Sequence, residues 1–275
     1  MANLGLFYPN RVTGATITGG SWLAQLPATN VGTRALGQVA RSTNAATSST
    51  KLRFDLLVSR SLRAFALANH NLSTAAQWRI LLGTSSGAGD VLTTSWFTAI
   101  LATYEAGFTA LGVEDGTYQR NGFAVIQVLS QAYSARYVTI EIDDTTNTDG
   151  YVQIGRAVIA GGYIPTINAS YGLRDSWKDF TTIDHSETGV LWYTPRRRLR
   201  NVSFVLEHLD LTSGVTLHEM QRMLGMADEV LYAADIEDMA YTQRYGFLAT
   251  HRELSALEYP FFSRRTLPLS LDEIG

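Results

Sequence analysis

The run Asp143-Asp144-Thr145-Thr146-Asn147-Thr148-Asp149-Gly150 gathers oxygen donors of the kind that hold a hard cation such as Ca²⁺. Its spacing does not match an EF-hand loop. Asn147, Asp149 and Gly150 fall at positions three, five and six, but Thr145 stands at position one and Arg156 at twelve. The other reading is a connection in which Asp and Asn side chains cap their own backbone, and no metal ligand is assigned. The five histidines, His70, His185, His208, His218 and His251, are scattered without paired ligand spacing. Asp184-His185-Ser186 contains the residue types of a hydrolase triad, but neighbours in a strand point to opposite faces, so adjacency argues against a relay. No Gly-x-Ser-x-Gly elbow, phosphate loop or dinucleotide fingerprint occurs. A glycosidase pair of carboxylates is a spatial arrangement that spacing does not reveal. No catalytic residue and no cofactor-binding residue is assigned.

Two groups suit binding. Pro195-Arg196-Arg197-Arg198-Leu199-Arg200 is the one basic cluster, suited to phosphates of DNA passing through a channel, to acidic residues of a neighbouring subunit, or to simple solvation at a strand end. The loops carrying His70, Trp96, Tyr104 and Tyr133 offer aromatic faces and polar neighbours for a sugar-binding edge, with Trp96 equally suited to a core.

The elements that must position these residues are mostly strands. Tyr137, Thr139 and Glu141 alternate with Val138, Ile140 and Ile142, the period of a strand with one buried face. After the polar run come Tyr151–Ile154 and Arg156–Ile159, so the spacing predicts a hairpin over 136–162. Upstream, strands are expected at Asn3–Pro9, Thr16–Trp22, Gln38–Ser42, Lys51–Leu57, Ser61–Ala68, Gln77–Gly83 and Gly122–Ser130. Ser95–Gly107 has mixed character and would allow a short helix. Beyond Ile164-Pro165 the character changes, with strands expected at Phe180–Ser186, Val190–Thr194, Leu199–Leu209, Glu229–Ala234, Met239–Thr250 and Thr266–Leu271. One helix is well signalled, by a capping box at Thr216-x-x-Glu219, an apolar face of Leu217, Met220, Met223 and Leu224, and a stop near Gly225. The expected fold class is mainly β: a jelly-roll β-sandwich over residues 1–163 and an α+β unit with one clear helix over 164–275.

The pattern aryl-Val-x-Ile-x-Ile-Asp-Asp … Asn-x-Asp-Gly-Tyr-x-x-Ile-Gly-Arg, with Leu52–Leu56 and Leu62–Ser73 upstream, resembles a galactose-binding-like (discoidin-type) β-sandwich found in tail proteins of tailed bacteriophages. That resemblance spans roughly residues 3–162. In the second half, Tyr245-Gly246-Phe247-Leu248 and Leu267–Leu271 are similar to β-rich tails of phage distal-tail and baseplate proteins. The resemblance implies a structural component of a tail tip or baseplate, made in the host cytoplasm and resident in the virion tail. It implies self-association, as a ring of six or three copies, contacts with other phage tail proteins, and DNA at most passing through the ring.

Composition agrees with a binding or assembly role. Of 275 residues, 45% are hydrophobic and only 17% charged, and the 13 Tyr suit interfaces. A net charge of −3 gives no electrostatic case for nucleic acid or anionic membrane. Without Cys there is no disulfide, thiolate metal site or thiol nucleophile. The N-terminus lacks a signal-peptide pattern and no run approaches the length of a membrane span, so a protein made in the cytosol that stays soluble, or leaves only inside an assembly, is expected. Without a catalytic constellation, neither an enzyme nor a cofactor is expected. The alternative function is a carbohydrate-binding adhesin module recognising host surface glycans, and a third is a hydrolase of cell-wall sugars.

Overall fold

The structure, a computed structural model, describes residues 3–101, 124–186 and 189–275. It is mainly β, and the chain divides into two compact units, Met1–Ile164 with Leu231–Gly246, and Pro165–Val230 with Phe247–Gly275.

The first unit holds β1 (Gly5–Phe7), β2 (Thr16–Thr18), β3 (Ala40–Arg41), β4 (Leu52–His70), β5 (Gln77–Gly83), β6 (Leu92–Thr93), β7 (Phe97–Thr98), β8 (Val125–Asp143) and β9 (Gln153–Ala160). The two strands expected at Lys51–Leu57 and Ser61–Ala68 are one long strand, β4, bent in its middle. The register with β8 slips between Asp55 and Arg60 and again between Leu62 and Ala64, and Leu57 takes a positive φ of 67° at the bend. The strands expected over 122–130 and 136–142 likewise fuse into β8. Before the bend β4 pairs with β2 and with the far half of β8, which pairs in turn with β5. After the bend β4 lies between the near half of β8 and β9, and β9 carries β3. The bend folds one continuous ribbon into two layers of a sandwich. Phe54 and Leu56 from one half of β4, Phe65 and Leu67 from the other, and Trp78, Ile140, Ile154 and Ile159 share a single core.

The expected hairpin over 136–162 does not form. Both strands are present and both pair with β4, which separates them. The second half of β4 can satisfy its backbone on both sides only if β8 and β9 flank it. Its alternation explains this position: Phe65 and Leu67 face the core, while Ala64, Ala66 and Ala68 make a second buried face of small side chains.

A returning segment packs beside β8. It contains β14 (Val230–Ala233), whose Leu231–Ala233 pair with β1, and the helix Met239–Tyr245. Residues 239–245 were expected as part of a strand. Instead Asp238 caps a helix by accepting from Tyr241 N at 2.9 Å, and Gly246 ends it. The helix is pinned by Gln243, which accepts from Leu101 N and donates to Ala99 O, each at 2.7 Å.

The second unit contains β10 (Arg174–Lys178), β11 (Thr182–His185), β12 (Leu191–Thr194), β13 (Leu199–Leu209), helix α1 (Leu211–Leu224), β15 (Phe247–His251), β16 (Glu258–Phe261) and β17 (Arg264–Glu273); the helix 239–245 is α2. Its sheet runs β15-β17-β13-β10, with β16 also on β17. Val202, Phe204 and Leu206 of β13 and Leu267, Leu269 and Leu271 of β17 are buried at period two, as expected for β13. Helix α1 starts five residues before the expected capping box. Asp210 is the N-cap and accepts from Ser213 N at 2.7 Å, which leaves Thr216 inside the helix, bonded back to Thr212 O, and Glu219 paired with Arg222. Leu217, Met220 and Leu224 form the buried stripe, whereas Met223 is exposed.

Candidate functional site

The polar run 143–150 is a structural joint. Asp144 accepts from Ser73 N at 3.0 Å, from Ser73 Oγ and from Asn147 Nδ2 at 2.7 Å. Asn147 also donates to Asn71 O, and Asn71 donates to Asp149 and Tyr151 O while accepting from Gln153 N at 2.7 Å. The oxygens that looked available for a cation thus fasten the 144–152 crossover to the end of β4. No cluster of three or more His, Asp or Glu suited to a metal occurs among the described residues. The Ile154-Gly155-Arg156 motif has the same character. A Cβ at Gly155 would lie 2.5 Å from Leu36 O and 2.9 Å from the Asn69 side chain, so only glycine fits. Arg156 is fully buried and donates to Thr13 Oγ1 at 2.8 Å, tying the N-terminal segment to β9.

His70, Tyr133 and Trp96, the described residues among those proposed for a sugar-binding edge, lie in different surroundings. His70 is buried at the end of β4, where its Nδ1 accepts from Leu72 N. Tyr133 stands opposite Leu62, eight residues along β4 from His70, and packs against the core. Trp96 lies near β5, under the Arg79 guanidinium, 4.6 Å from its ring centre. Arg79 and Lys51 converge on Glu141, and their charges and bonds outweigh its burial and hold its carboxyl below the usual range. Tyr104 lies outside the described residues.

In the second unit, Asp184 and His185 are exposed on β11, opposite Trp192 and Leu191 of β12. The basic cluster is mostly paired within its own unit. Arg200 is buried and grips Glu273 with Nε and Nη2 at 3.0 and 2.7 Å, Arg197 reaches Glu273 at 3.5 Å, and Arg198 reaches Asp179 at 3.1 Å. These intramolecular pairs take up the charge that would otherwise face phosphate.

Two other surfaces are left. The first is the two-stranded ribbon β11–β12, every residue of which is exposed. By the strand pleat, Ile183, Leu191 and Tyr193 share one face and Trp192 lies on the other. Trp192 is 65% exposed, Tyr193 59%, and Trp177 on the neighbouring strand β10 is 57% exposed. An isolated two-stranded ribbon is at best marginally stable in water, and this one turns its aromatic side chains outward.

The second is an open cleft of about 430 Å³ in the sandwich unit, at the bend of β4. Arg11, Arg60 and Arg63 line it with Tyr8, Ser59 and Ser61, and Gly161 and Gly162 form a wall without side chains. Asn10 fixes the first arginine: its side chain accepts from Val12 N and Ile159 N, while Arg11 N donates to Ile159 O at 2.8 Å. Arg63 is held by Leu129 O and Ser130 O at 3.1 and 2.9 Å. Burial, and then the nearby Arg60, pull the Arg11 guanidinium below its ordinary value. Burial, and then Tyr163, push Tyr8 up to about 12, so Tyr8 supplies a neutral hydroxyl. Sequence reasoning missed this site because Arg11 and Arg60 are far apart in the chain. Arg60 and Arg63 have opposite parity in a regular strand, and the register with β8 shifts between Leu62 and Ala64, at Arg63, where both residues line the cleft.

No protein-family model and no curated protein matches the chain. Among solved structures, a family 89 glycoside hydrolase from Clostridium perfringens aligns over 59% of this chain with TM-score 0.38 and 13% identity, and the chain spans only 16% of that enzyme. The lectin domain of lectinolysin complexed with Lewis B antigen aligns with TM-score 0.39 and 14% identity, over 57% of this chain and 99% of that one. The family 32 carbohydrate-binding module of C. perfringens NanJ, in complex with galactose, gives 0.39 and 12%, over 57% and 98%. These are likenesses to β-sandwich modules, and no residue's role is transferred from them.

Proposed function

We propose that this protein is a non-catalytic assembly component that associates with further copies of itself through its second unit. The observation that carries this reading is the exposed aromatic ribbon β11–β12 with its neighbour β10. Trp177, Phe180, Ile183, Val190, Leu191, Trp192 and Tyr193 are each 43–65% exposed, and apolar side chains stand on both faces of the ribbon. Large apolar side chains left uncovered together on neighbouring stretches of chain mark an interaction surface. A second copy fits as the occupant. Open strand edges of one sequence can pair antiparallel about a two-fold axis, and a net charge of −3 opposes such pairing little. Within this reading, a place in a phage tail tip or baseplate is supported by the sequence resemblance alone. Light scattering on the purified protein tests the reading. Masses at a multiple of 30.2 kDa are expected, and a strict monomer at every concentration rejects self-association.

The second reading is recognition of host carbohydrate by the sandwich unit. It is favoured by the cleft at the bend of β4, where an aromatic ring, hydroxyls and guanidinium groups meet, the mixture that stacks on and hydrogen-bonds to sugars. Specific retention on a glycan array, lost in Tyr8→Ala, is the result expected of it.

A further inference from the structure

We infer that the cleft at the bend of β4 is a binding site for a small anionic ligand whose oxyanion sits among Arg11, Arg60 and Arg63. Three guanidinium groups line one cavity, and no carboxylate among the described residues lines it with them. Some arginines of this chain are neutralised at short range, Arg136 by Asp55 at 2.7 Å and Arg200 by Glu273 at 2.7 Å. Here the partners are different in kind. Among the described residues Arg63 bonds to the main-chain carbonyls of Leu129 and Ser130, which carry no net charge. Arg11 Nε is buried without a hydrogen-bond partner among the described residues, in contrast to the general rule that buried donors are satisfied. An unsatisfied donor on a partly desolvated cation facing a second cation is a local cost, and an oxyanion between them relieves both parts of it.

The remaining wall defines the ligand further. Ser59 Oγ lies 2.9 Å from Ser134 Oγ, and Ser61 lines the cleft beside it. With the neutral Tyr8 hydroxyl these groups suit a ligand that carries hydroxyls next to its charge. A Cβ at Gly161 would lie 2.8 Å from Ser61 O, so this wall stays bare and the ligand can approach the backbone. The volume, about 430 Å³, is within the range of small-ligand sites. The shared chemistry is an oxyanion on a small hydroxylated body, whether the carboxylate of an acidic sugar or a phosphate. This inference is independent of self-association, and it narrows the carbohydrate reading to acidic ligands.

Calorimetric titration of the full chain in low-salt buffer tests it, with inorganic phosphate, glucuronic acid and neutral galactose as probes. Saturable binding of phosphate or glucuronate is expected, weakened at least about tenfold in Arg60→Ala and abolished in Arg60→Glu, with binding falling as NaCl is added. Arg60 is exposed, so both variants should fold, and unchanged circular dichroism checks this. Phosphate without glucuronate would identify a phosphate site, and the reverse a carboxylate site. Failure of both anions to bind below about 10 mM, or binding that Arg60→Glu leaves unchanged, overturns the inference. Galactose binding that is equally strong in wild type and Arg60→Glu also overturns it, while leaving the broader carbohydrate reading in place.

Discussion

The two units use strands in opposite ways. In the sandwich, β9 is buried over nearly its whole length, and β4 past its bend is buried on both faces. In the second unit, β10, β11, β12 and β16 are exposed along their whole lengths, although they carry Trp177, Trp192, Tyr193, Tyr259 and Phe261. Both regions are rich in apolar residues, so hydrophobicity does not distinguish them. What differs is whether the chain itself covers the second face. The sandwich buries both faces of its central strands, whereas the second unit leaves the ribbon β11–β12 exposed along its length.

Substitutions in the two regions should therefore separate stability from assembly. Trp78, 1% exposed in the sandwich core and edge-on to Phe97, should be the most costly to remove. Trp78→Ala is expected to lose about 3–5 kcal/mol, read as a lowered urea midpoint. Glu273→Ala in the second unit should approach that loss, about 3–5 kcal/mol, because it removes the carboxylate that buried Arg200 grips at 2.7 Å. A Glu273→Ala protein as stable as wild type would show that the pair contributes little.

His251 gives a pH-dependent contrast. It is buried, neither ring nitrogen has a hydrogen-bond partner among the described residues, and burial holds its imidazole below the ordinary value. The unfolded chain then takes up the proton first as pH falls. The His251 contribution is complete above its unfolded pKa of about 6.5 and declines as pH falls below it. Urea midpoints at pH 7.5 and 5.5 should differ in that direction, and His251→Leu should flatten the slope. Asp210→Ala removes the N-cap of α1 and should cost about 1 kcal/mol, measured in the same way.

Much of this architecture was legible in the sequence. The alternation of Val202, Phe204 and Leu206 and of Val138, Ile140 and Ile142 located β13 and the far half of β8, because one-sided burial writes itself at period two. Pairing partners were not legible. Strands adjacent in sequence on either side of 144–152 read as a hairpin, but only the third strand, β4, shows that they flank it. The start of α1 was misplaced for a local reason: Asp210 caps as well as any Thr-x-x-Glu box, and propensity alone does not choose between neighbouring caps; α2 was missed outright because its residues also suit a strand. The arginine cleft was hidden because the register of β4 with β8 shifts at Arg63, and such shifts leave little trace in periodicity.

The ribbon should respond in the reverse manner to the core. Trp192→Ser with Tyr193→Ser removes exposed side chains and should change monomer stability by no more than about 0.5 kcal/mol. Light scattering across a concentration series, wild type beside this double variant, is the most direct measurement. Self-association through the second unit predicts wild-type masses that rise to a defined multiple of 30.2 kDa and a variant that stays at the single-chain mass with its circular dichroism unchanged. Wild-type and variant masses that agree at every concentration, whether both monomeric or both assembled, would contradict it.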